Sequence, residues 1–158
     1  MSDGPPLFHE RQRFTQPWLW AVLAAISLVV VAVGAVLLLV RGATSGGLAV
    51  IAYGLLAPAV LALFVLDTEV RPDGLHLRFV PLVRHRHLRP EEIVEATARS
   101  YRPIVEYGGW GVRWGKGGKC YTVSGDRGVQ LALAGGERLL VGSQRAEELA
   151  AAIAAVKR

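Results

Sequence analysis

Two long apolar stretches decide the fold: WLWAVLAAISLVVVAVGAVLLLV at residues 18–40 and LAVIAYGLLAPAVLALFVL at residues 48–66. The first has 23 residues and the second has 19, and neither contains Asp, Glu, Lys or Arg. As α-helices rising about 1.5 Å per residue, they would span roughly 34 and 28 Å, close to the roughly 30 Å hydrocarbon core of a bilayer. We therefore predict a transmembrane helical hairpin over residues 18–66.

Two other interpretations of these stretches fit less well. Two buried helices of a soluble core would need an amphipathic shell around them, whereas the rest of the chain has the pattern of strands. A signal peptide has an apolar run of about 7–15 residues that ends at a small-residue cleavage site, and residues 18–40 lack both features. The segment 41–47 contains three glycines, and we predict that it is a short flexible turn between antiparallel helices.

The composition of the whole chain agrees with a membrane protein that carries one ordinary domain. The 158 residues have a net charge of +5, and 52% are hydrophobic. The mean hydropathy of +0.35 is high for a soluble protein, and it argues against a disordered chain. A single cysteine, Cys120, excludes a disulfide framework and suits a reducing compartment.

The arginines near the ends of the two stretches are distributed unevenly. Six lie in residues 1–17 and 67–86, against Arg41 alone in the connecting loop. The six are Arg11, Arg13, Arg71, Arg78, Arg84 and Arg86. Because basic residues accumulate on the cytoplasmic side of a membrane, we predict that both termini are cytoplasmic and that residues 1–17 form a cytoplasmic tail. The expected location is the cytoplasmic (inner) cell membrane, with Trp18 and Trp20 at its inner interface.

The chain changes character at residue 67, where the period of the apolar residues falls to two. Leu75, Leu77 and Phe79, for example, share one face of a predicted strand that follows a Pro-Asp-Gly turn. Glycine-rich turns separate further short strands up to residue 141. We predict roughly seven or eight short antiparallel strands that form a small β-barrel or β-sandwich.

The end of the chain has the spacing of an amphipathic helix, predicted over residues 144–157. Ala146, Leu149, Ile153 and Val156 recur on one face, and Ser143 precedes them as a candidate cap. The apolar face needs a partner, and the open side of the sheet is available. Residues 67–158 are therefore predicted to be a cytoplasmic β domain closed by a C-terminal helix.

Four stretches resemble a prokaryotic membrane-protein family that is catalogued as a domain of unknown function. They are Phe8–Trp18, Tyr107–Arg113, Tyr121–Gly125 with Gly128 and Val129, and Val141–Leu149. That family is similar in layout to bacterial membrane proteins with a pleckstrin-homology-like (PH-like) domain. The resemblance implies a PH-like fold for residues 67–158, and it implies no reaction.

The glycine-rich segment 108–118 does not satisfy the requirements of a nucleotide-binding loop. A P-loop ends in Gly-Lys followed by Ser or Thr, whose hydroxyl binds magnesium. Here Gly115 and Lys116 are followed by Gly117, and no helix is predicted after them. A dinucleotide fingerprint also fails, because Trp114 stands where its last glycine would be. We expect these glycines to lie at strand ends and in hairpin turns.

Three histidines, His76, His85 and His87, are close enough in the predicted strands to be considered as zinc ligands. No cysteine or carboxylate stands beside them at ligand spacing, and the interleaved arginines would repel a cation. We therefore expect a solvated basic strand without a metal or other cofactor.

Other chemistry is equally poorly supported by the sequence. Ser124 and Ser143 lack a nucleophile context such as G-x-S-x-G, and neither apolar stretch contains an ionisable residue for an ion path. The basic residues are interleaved with acidic ones, and no nucleic-acid-reading motif is present. We predict that the protein is not an enzyme and does not bind nucleic acid.

The basic cluster at residues 84–89 is the most informative charged feature. A hairpin that runs out from the membrane and returns would bring Arg84, Arg86 and Arg89 towards the anionic headgroups of the inner leaflet, each contributing about 1 kcal/mol. The alternative is that these arginines are solvated or pair with nearby glutamates, which are Glu91, Glu92 and Glu95.

Two functions remain open at this point. The first is a non-enzymatic membrane-anchored adaptor, whose PH-like domain binds a protein partner or the lipid surface at the cytoplasmic face. The second is an accessory subunit of a membrane transporter or envelope enzyme complex. In that case Ala21 and Ala25, four residues apart, would allow close packing of the first helix against a partner helix.

Overall fold

The computed structural model of the chain describes residues 5–42 and 44–157, and it divides them into two compact units. The helical unit comprises residues 14–63, and the β unit is formed by the residues before and after it. The helices and strands are β1 (Phe8–Arg13), α1 (Pro17–Arg41), α2 (Thr44–Ala62), β2 (Val65–Arg71), β3 (Gly74–Val80), β4 (Val83–Leu88), β5 (Ile93–Ser100), α3 (Pro103–Tyr107), β6 (Gly111–Gly115), β7 (Gly118–Thr122), β8 (Arg127–Leu133), β9 (Arg138–Gly142) and α4 (Ala146–Val156).

The helical unit is a pair of antiparallel helices that approach closely at glycines. A Cβ atom at Gly34 would lie 2.6 Å from Ile51 Cγ1, and one at Gly54 would lie 3.0 Å from Val30 Cγ1. Larger residues at these positions would push the helices apart. The outward surface of the pair is apolar and exposed, as at Leu39, which is 86% exposed. Both helices are long and apolar enough to cross a membrane.

The second helix lies earlier in the chain than the predicted span of 48–66. It begins at Thr44 and ends at Ala62, because Val65 and Leu66 are buried residues of strand β2. An uncharged apolar run does not reveal where a membrane-type helix stops and a buried strand starts. The predicted turn at 41–47 is correspondingly shorter: Gly42 takes a left-handed conformation at the end of α1, and Ala43 lies outside the described residues.

The first of two sheets, sheet 1, has the antiparallel order β1-β2-β3-β4. Strand β1 pairs with β2 along its whole length, from Phe8 opposite Val70 to Arg13 opposite Val65. The predicted N-terminal tail therefore contains a strand that the sequence analysis missed. Phe8 is the only apolar residue of β1, and the other buried residue is Gln12, so the strand shows no apolar alternation.

The second sheet, sheet 2, has the order β5-β8-β9-β7-β6 and is mixed. Strands β5, β8 and β9 form an antiparallel meander, whereas β7 runs parallel to β9. The prediction of a wholly antiparallel domain was wrong at this pair. The physical reason is that β6 and β7 form a hairpin between β5 and β8 in the chain, and this hairpin joins the sheet at its β9 edge.

The two sheets form a β-sandwich whose core lies between their apolar faces. Phe79 of sheet 1 and Tyr121 of sheet 2 meet there with ring centroids 6.4 Å apart. Helix α4 contacts strands of both sheets through the predicted apolar face, of which Ala146, Leu149 and Ile153 are buried. Ser143 is not the cap of this helix: its hydroxyl accepts a hydrogen bond from the Arg145 N–H, before the first helical residue.

Candidate functional site

All four histidines of the chain lie on the outer face of sheet 1. Three of them form a continuous row across the four strands together with Glu69. His9 is opposite Glu69, Glu69 is opposite His76, and His76 is opposite His87. His85 is two residues before His87 on β4. The predicted proximity of His76 to His85 and His87 is confirmed by the register and by the contact between His76 and His85.

A compact cluster of side chains surrounds His76, and we call Asp73, His76, His85 and His87 the His–Asp cluster. The Asp73 Oδ1 atom is 3.1 Å from His76 Nε2, and His76 Nδ1 is 3.1 Å from His85 Nε2. His87 Nε2 donates to the main-chain oxygen of Asp73 at 2.9 Å. The rings of His76 and His87 are stacked, with centroids 4.3 Å apart. The hydrogen bond with His76 holds the pKa of the Asp73 carboxyl below its ordinary value.

The turn between β2 and β3 explains why these groups converge. Gly74 has a φ of +133°, and a Cβ atom there would lie 2.2 Å from the main-chain oxygen of Leu88. Glycine therefore permits the end of β4 to approach the start of β3. This approach sets His87 beside His76, and the same turn places Asp73 next to both of them.

The side chains of Asp73, His76 and His87 each offer one potential metal-ligand atom, and these atoms lie within 4.8 Å of one another. The prediction that no carboxylate stands at ligand spacing beside the histidines was wrong, because Asp73 lies there. Asp73 was interpreted only as a turn residue. Its spacing of three residues before His76, across a tight turn, was the signal that could have identified it.

Of the three arginines predicted to contact the membrane surface, Arg86 and Arg89 face carboxylates. Arg86 donates to Glu137 Oε2 of the β8–β9 turn at 2.8 Å. The Arg89 main-chain N–H donates to Glu92 Oε2 at 2.7 Å, and its guanidinium faces the same carboxylate at 3.5 Å. The pKa of Glu92 is lowered by that main-chain hydrogen bond and by the Arg89 charge.

Contact of the three arginines with lipid headgroups stays a prediction. The three differ in whether a glutamate already neutralises their charge. The alternative of pairing with glutamates is realised at Arg89, whereas the partner of Arg86 is Glu137 and was not foreseen. Arg84 is exposed at the start of β4.

Other exposed arginines share the end of sheet 1 that carries Arg84. We call this end of sheet 1 the basic end, and its members are Arg11, Arg13, Arg78 and Arg84. The register brings Arg11 and Arg78 to either side of Asp67, and it pairs Arg13 with Val65, which in turn lies opposite Val80. The basic end is also where the chain leaves β1 for α1 and returns from α2 to β2.

The glycine-rich segment is a hairpin, as predicted. Strands β6 and β7 pair from Gly111 opposite Thr122 to Gly115 opposite Gly118. Its close neighbour is α3, because a Cβ atom at Gly115 would lie 2.1 Å from the main-chain oxygen of Glu106. The glycines therefore serve turns and close packing.

The helix α3 covers a second small core on the outer face of sheet 2. Tyr101, Tyr107, Cys120 and Leu140 are buried together there. Burial raises the pKa of the Tyr101 hydroxyl and of the Cys120 thiol.

A polar pocket beside this small core includes Arg99, whose hydrogen bonds lie within the fold. Its guanidinium donates to Glu106 Oε2 at 2.9 Å and to Gln130 Oε1 at 3.2 Å. The main-chain N–H of Arg102 and the Arg99 charge lower the pKa of Glu106. Arg99 therefore fastens α3 to sheet 2.

Fold and geometry together define a β-sandwich with an inserted pair of long apolar helices. Comparison of the chain with protein-family models, curated proteins and solved structures gives no significant match.

Proposed function

We propose that the protein is a non-enzymatic, membrane-anchored binding protein that holds a PH-like β-sandwich at the cytoplasmic face of the inner membrane. The observation that carries the proposal is the place of the helices in the chain. They are inserted between β1 and β2, two neighbouring strands of one sheet, and their outward surface is apolar and exposed. A soluble protein rarely exposes apolar surface of this extent, whereas a bilayer would cover it.

The strand order supports a PH-like fold for the β unit. Sheet 1 is a four-stranded antiparallel meander, and β5, β8 and β9 form a second meander that leads into α4. Antiparallel strands closed by a C-terminal amphipathic helix are the PH-like order. The β6–β7 hairpin and α3 are then an insertion between β5 and β8.

A binding role is favoured because the candidate nucleophiles are engaged within the fold. Cys120 is fully buried and its pKa is raised by that burial. The Ser143 hydroxyl donates to Glu10, and the Ser124 hydroxyl accepts from Gln144. None of these three groups is presented to a substrate.

The basic end supports contact with anionic lipid headgroups. Three residues join β1 to α1 and two join α2 to β2. Both linkers leave their strands at the basic end, so the chain itself connects this end of sheet 1 to the helices. Arg84 and Arg13 are therefore better candidates for this contact than Arg86 and Arg89, whose charges face glutamates.

The orientation can be tested by labelling single cysteines with a membrane-impermeant maleimide. Native Cys120 is buried, so new cysteines report on their own positions. Ser45→Cys, in the first turn of α2, should react in intact cells, and Glu91→Cys, in the β unit, should react only after permeabilisation. Labelling of Glu91→Cys in intact cells would contradict a cytoplasmic β unit.

The lipid contact can be tested on the full chain in nanodiscs. An environment-sensitive dye at Leu82→Cys, in the exposed turn before Arg84, should shift its emission in discs that contain phosphatidylglycerol, and high salt should reduce the shift. Arg84→Ala should reduce the shift, and the control Arg89→Ala should preserve it. Equal spectra in neutral and anionic discs would contradict the lipid contact but not the anchor.

The second candidate, an accessory subunit of a transporter or envelope enzyme complex, is favoured by one observation. Ala21 and Ala25 are exposed on α1, while Gly34, Gly47 and Gly54 are used in the packing of the two helices against each other. Ala21→Leu with Ala25→Leu should then release a partner that is co-purified with the wild-type chain. Retention of that partner by the double variant would favour binding through the β unit.

A further inference from the structure

We propose that Asp73, His76 and His87 bind a divalent transition-metal ion, for which Zn²⁺ is the best match. Two imidazole nitrogens and a carboxylate oxygen are ligands that zinc accepts in proteins, whereas Ca²⁺ and Mg²⁺ prefer oxygen ligands alone. This site is independent of the proposed membrane function, because it depends only on the outer face of sheet 1.

The distance between Asp73 and His76 is close to the one that a bound ion would impose, and all three ligand atoms lie within 4.8 Å of one another. Ligand atoms about 2.0–2.1 Å from a tetrahedral ion lie roughly 3.3 Å apart. Asp73 Oδ1 lies 3.1 Å from His76 Nε2, and Asp73 Oδ2 lies 3.9 Å from His87 Nε2. Binding would require the two stacked rings to rotate so that both nitrogens point at the ion, and it would replace the hydrogen bonds that Asp73 now makes with them.

The backbone sets the positions of the three ligand residues before any ion arrives. His76 and His87 are direct cross-strand partners, and Asp73 is in the turn that begins the same strand as His76. Gly74 holds that turn against the end of β4. Little chain entropy would therefore be lost when the ion binds, in contrast to ligands on separate loops.

His85 is placed to orient His76 as an outer partner. A metal-bound imidazole commonly donates its other N–H to a neighbouring acceptor, which fixes the ring and its tautomer. When His76 Nε2 binds the ion, Nδ1 carries the proton, and His85 Nε2 lies 3.1 Å from it. The hydrogen bond between His76 and His85 would therefore hold the His76 ring in the orientation that a metal ligand needs.

Ion pairs in the structure weaken the repulsion that the neighbouring arginines would exert on a cation. Arg86 pairs with Glu137, and Arg89 faces Glu92, so two of the neighbouring arginines have carboxylate partners. Arg71 pairs with Glu69 at 2.8 Å. The carboxylate of Asp73 then faces the two imidazoles, and it supplies the negative charge that a divalent ion requires.

The fourth coordination position would be open to water, because the cluster is partly exposed. The side chains of His76, His87 and Asp73 are 19%, 32% and 43% exposed. A bound ion would link the β2–β3 turn to β4 and stabilise that end of sheet 1.

The test uses the full chain in detergent micelles, without a polyhistidine tag. Calorimetry with Zn²⁺ should show one ion bound per chain, and Co²⁺ should give the visible absorption of a tetrahedral site. His76→Ala and His87→Ala should each lower the affinity by at least the roughly 10- to 100-fold that loss of an outer partner usually causes, and His85→Ala should fall within that range.

The control is His9→Ala, which removes a histidine from the same face of the same sheet. His9 bonds to Asp67 rather than to the cluster, so its loss should leave Zn²⁺ affinity unchanged. Thermal unfolding without metal shows whether each variant is folded. Failure of the folded wild-type chain to bind Zn²⁺ or Co²⁺, or equal affinities in wild type, His76→Ala and His87→Ala, would overturn the proposal.

Discussion

Helix α4 should contribute a large part of the stability of the β unit, and Leu149→Ala is the change that measures this contribution. Leu149 is fully buried, on a helix that contacts strands of both sheets. The substitution removes three carbon atoms, at a cost of about 0.8 kcal/mol each, and the remaining cavity raises the total to about 3 kcal/mol. For a unit of this size, that free energy corresponds to a fall in Tm of roughly 12 °C.

The assay is thermal unfolding of the full chain in mild detergent, followed by circular dichroism in the β region. The matched control is Leu82→Ala, the same change at a leucine that is 58% exposed, for which we expect less than about 0.5 kcal/mol. Equal Tm values for the two variants would refute the reasoning, because they would show that α4 does not close the sandwich.

Three further predictions concern the cluster, the sheets and the cysteine. Gly74→Ala should destabilise the β unit by about 1–3 kcal/mol in thermal unfolding, because its backbone conformation and the nearby main-chain oxygen both exclude a Cβ atom. Arg86→Ala should lower the free energy of unfolding by about 1–2 kcal/mol, because a partly buried link to Glu137 joins the sheets. Cys120 should react with a maleimide only after urea unfolding, even at alkaline pH, because burial raises its pKa.

Each of these predictions has a control in the chain. Gly135→Ala adds a Cβ atom in open space and should leave Tm nearly unchanged. Arg84→Ala removes an exposed arginine from the same strand as Arg86, and an equal loss of stability in both would contradict a specific role for the Glu137 pair. Val94→Cys, at an exposed position of β5, should react at once in the folded protein.

The sequence predicted the strands after residue 67 well because their signals are local. Period-two alternation and glycine turns predicted roughly seven or eight strands, of which the structure has eight, and the spacing of apolar residues predicted α4. The parallel pairing of β7 with β9 was not predictable in this way. It depends on which edge of the sheet accepts the β6–β7 hairpin, and no local pattern encodes that choice.

The histidines of the candidate metal site could be proposed from the sequence, but Asp73 could not, for a related reason. The two-residue spacing of His85 and His87 is a local signal, but the carboxylate ligand comes from a turn. Asp73 satisfies the requirements of that turn, so its second role becomes visible only when the register of β3 and β4 is known. Strand β1 was missed because its second buried residue, Gln12, is polar, so the strand shows no apolar alternation. The Gln12 side chain is buried because its amide donates to the main-chain oxygen of Gly142.

The insertion of the helices between β1 and β2 determines how a soluble β unit should be made. A fragment that starts at residue 65 lacks β1, so it loses the Gln12 bond to Gly142 and uncovers the edge of β2. Because Arg13 and Val65 are antiparallel partners at the ends of their strands, replacing residues 14–64 with a two- to four-residue Asn-Gly turn should join them as an ordinary hairpin. We expect the joined protein to be a soluble monomer with cooperative thermal unfolding, and the fragment without β1 to aggregate, as measured by size-exclusion chromatography. A soluble, folded fragment beside an aggregated joined protein would show that β1 belongs to the anchor rather than to the sandwich.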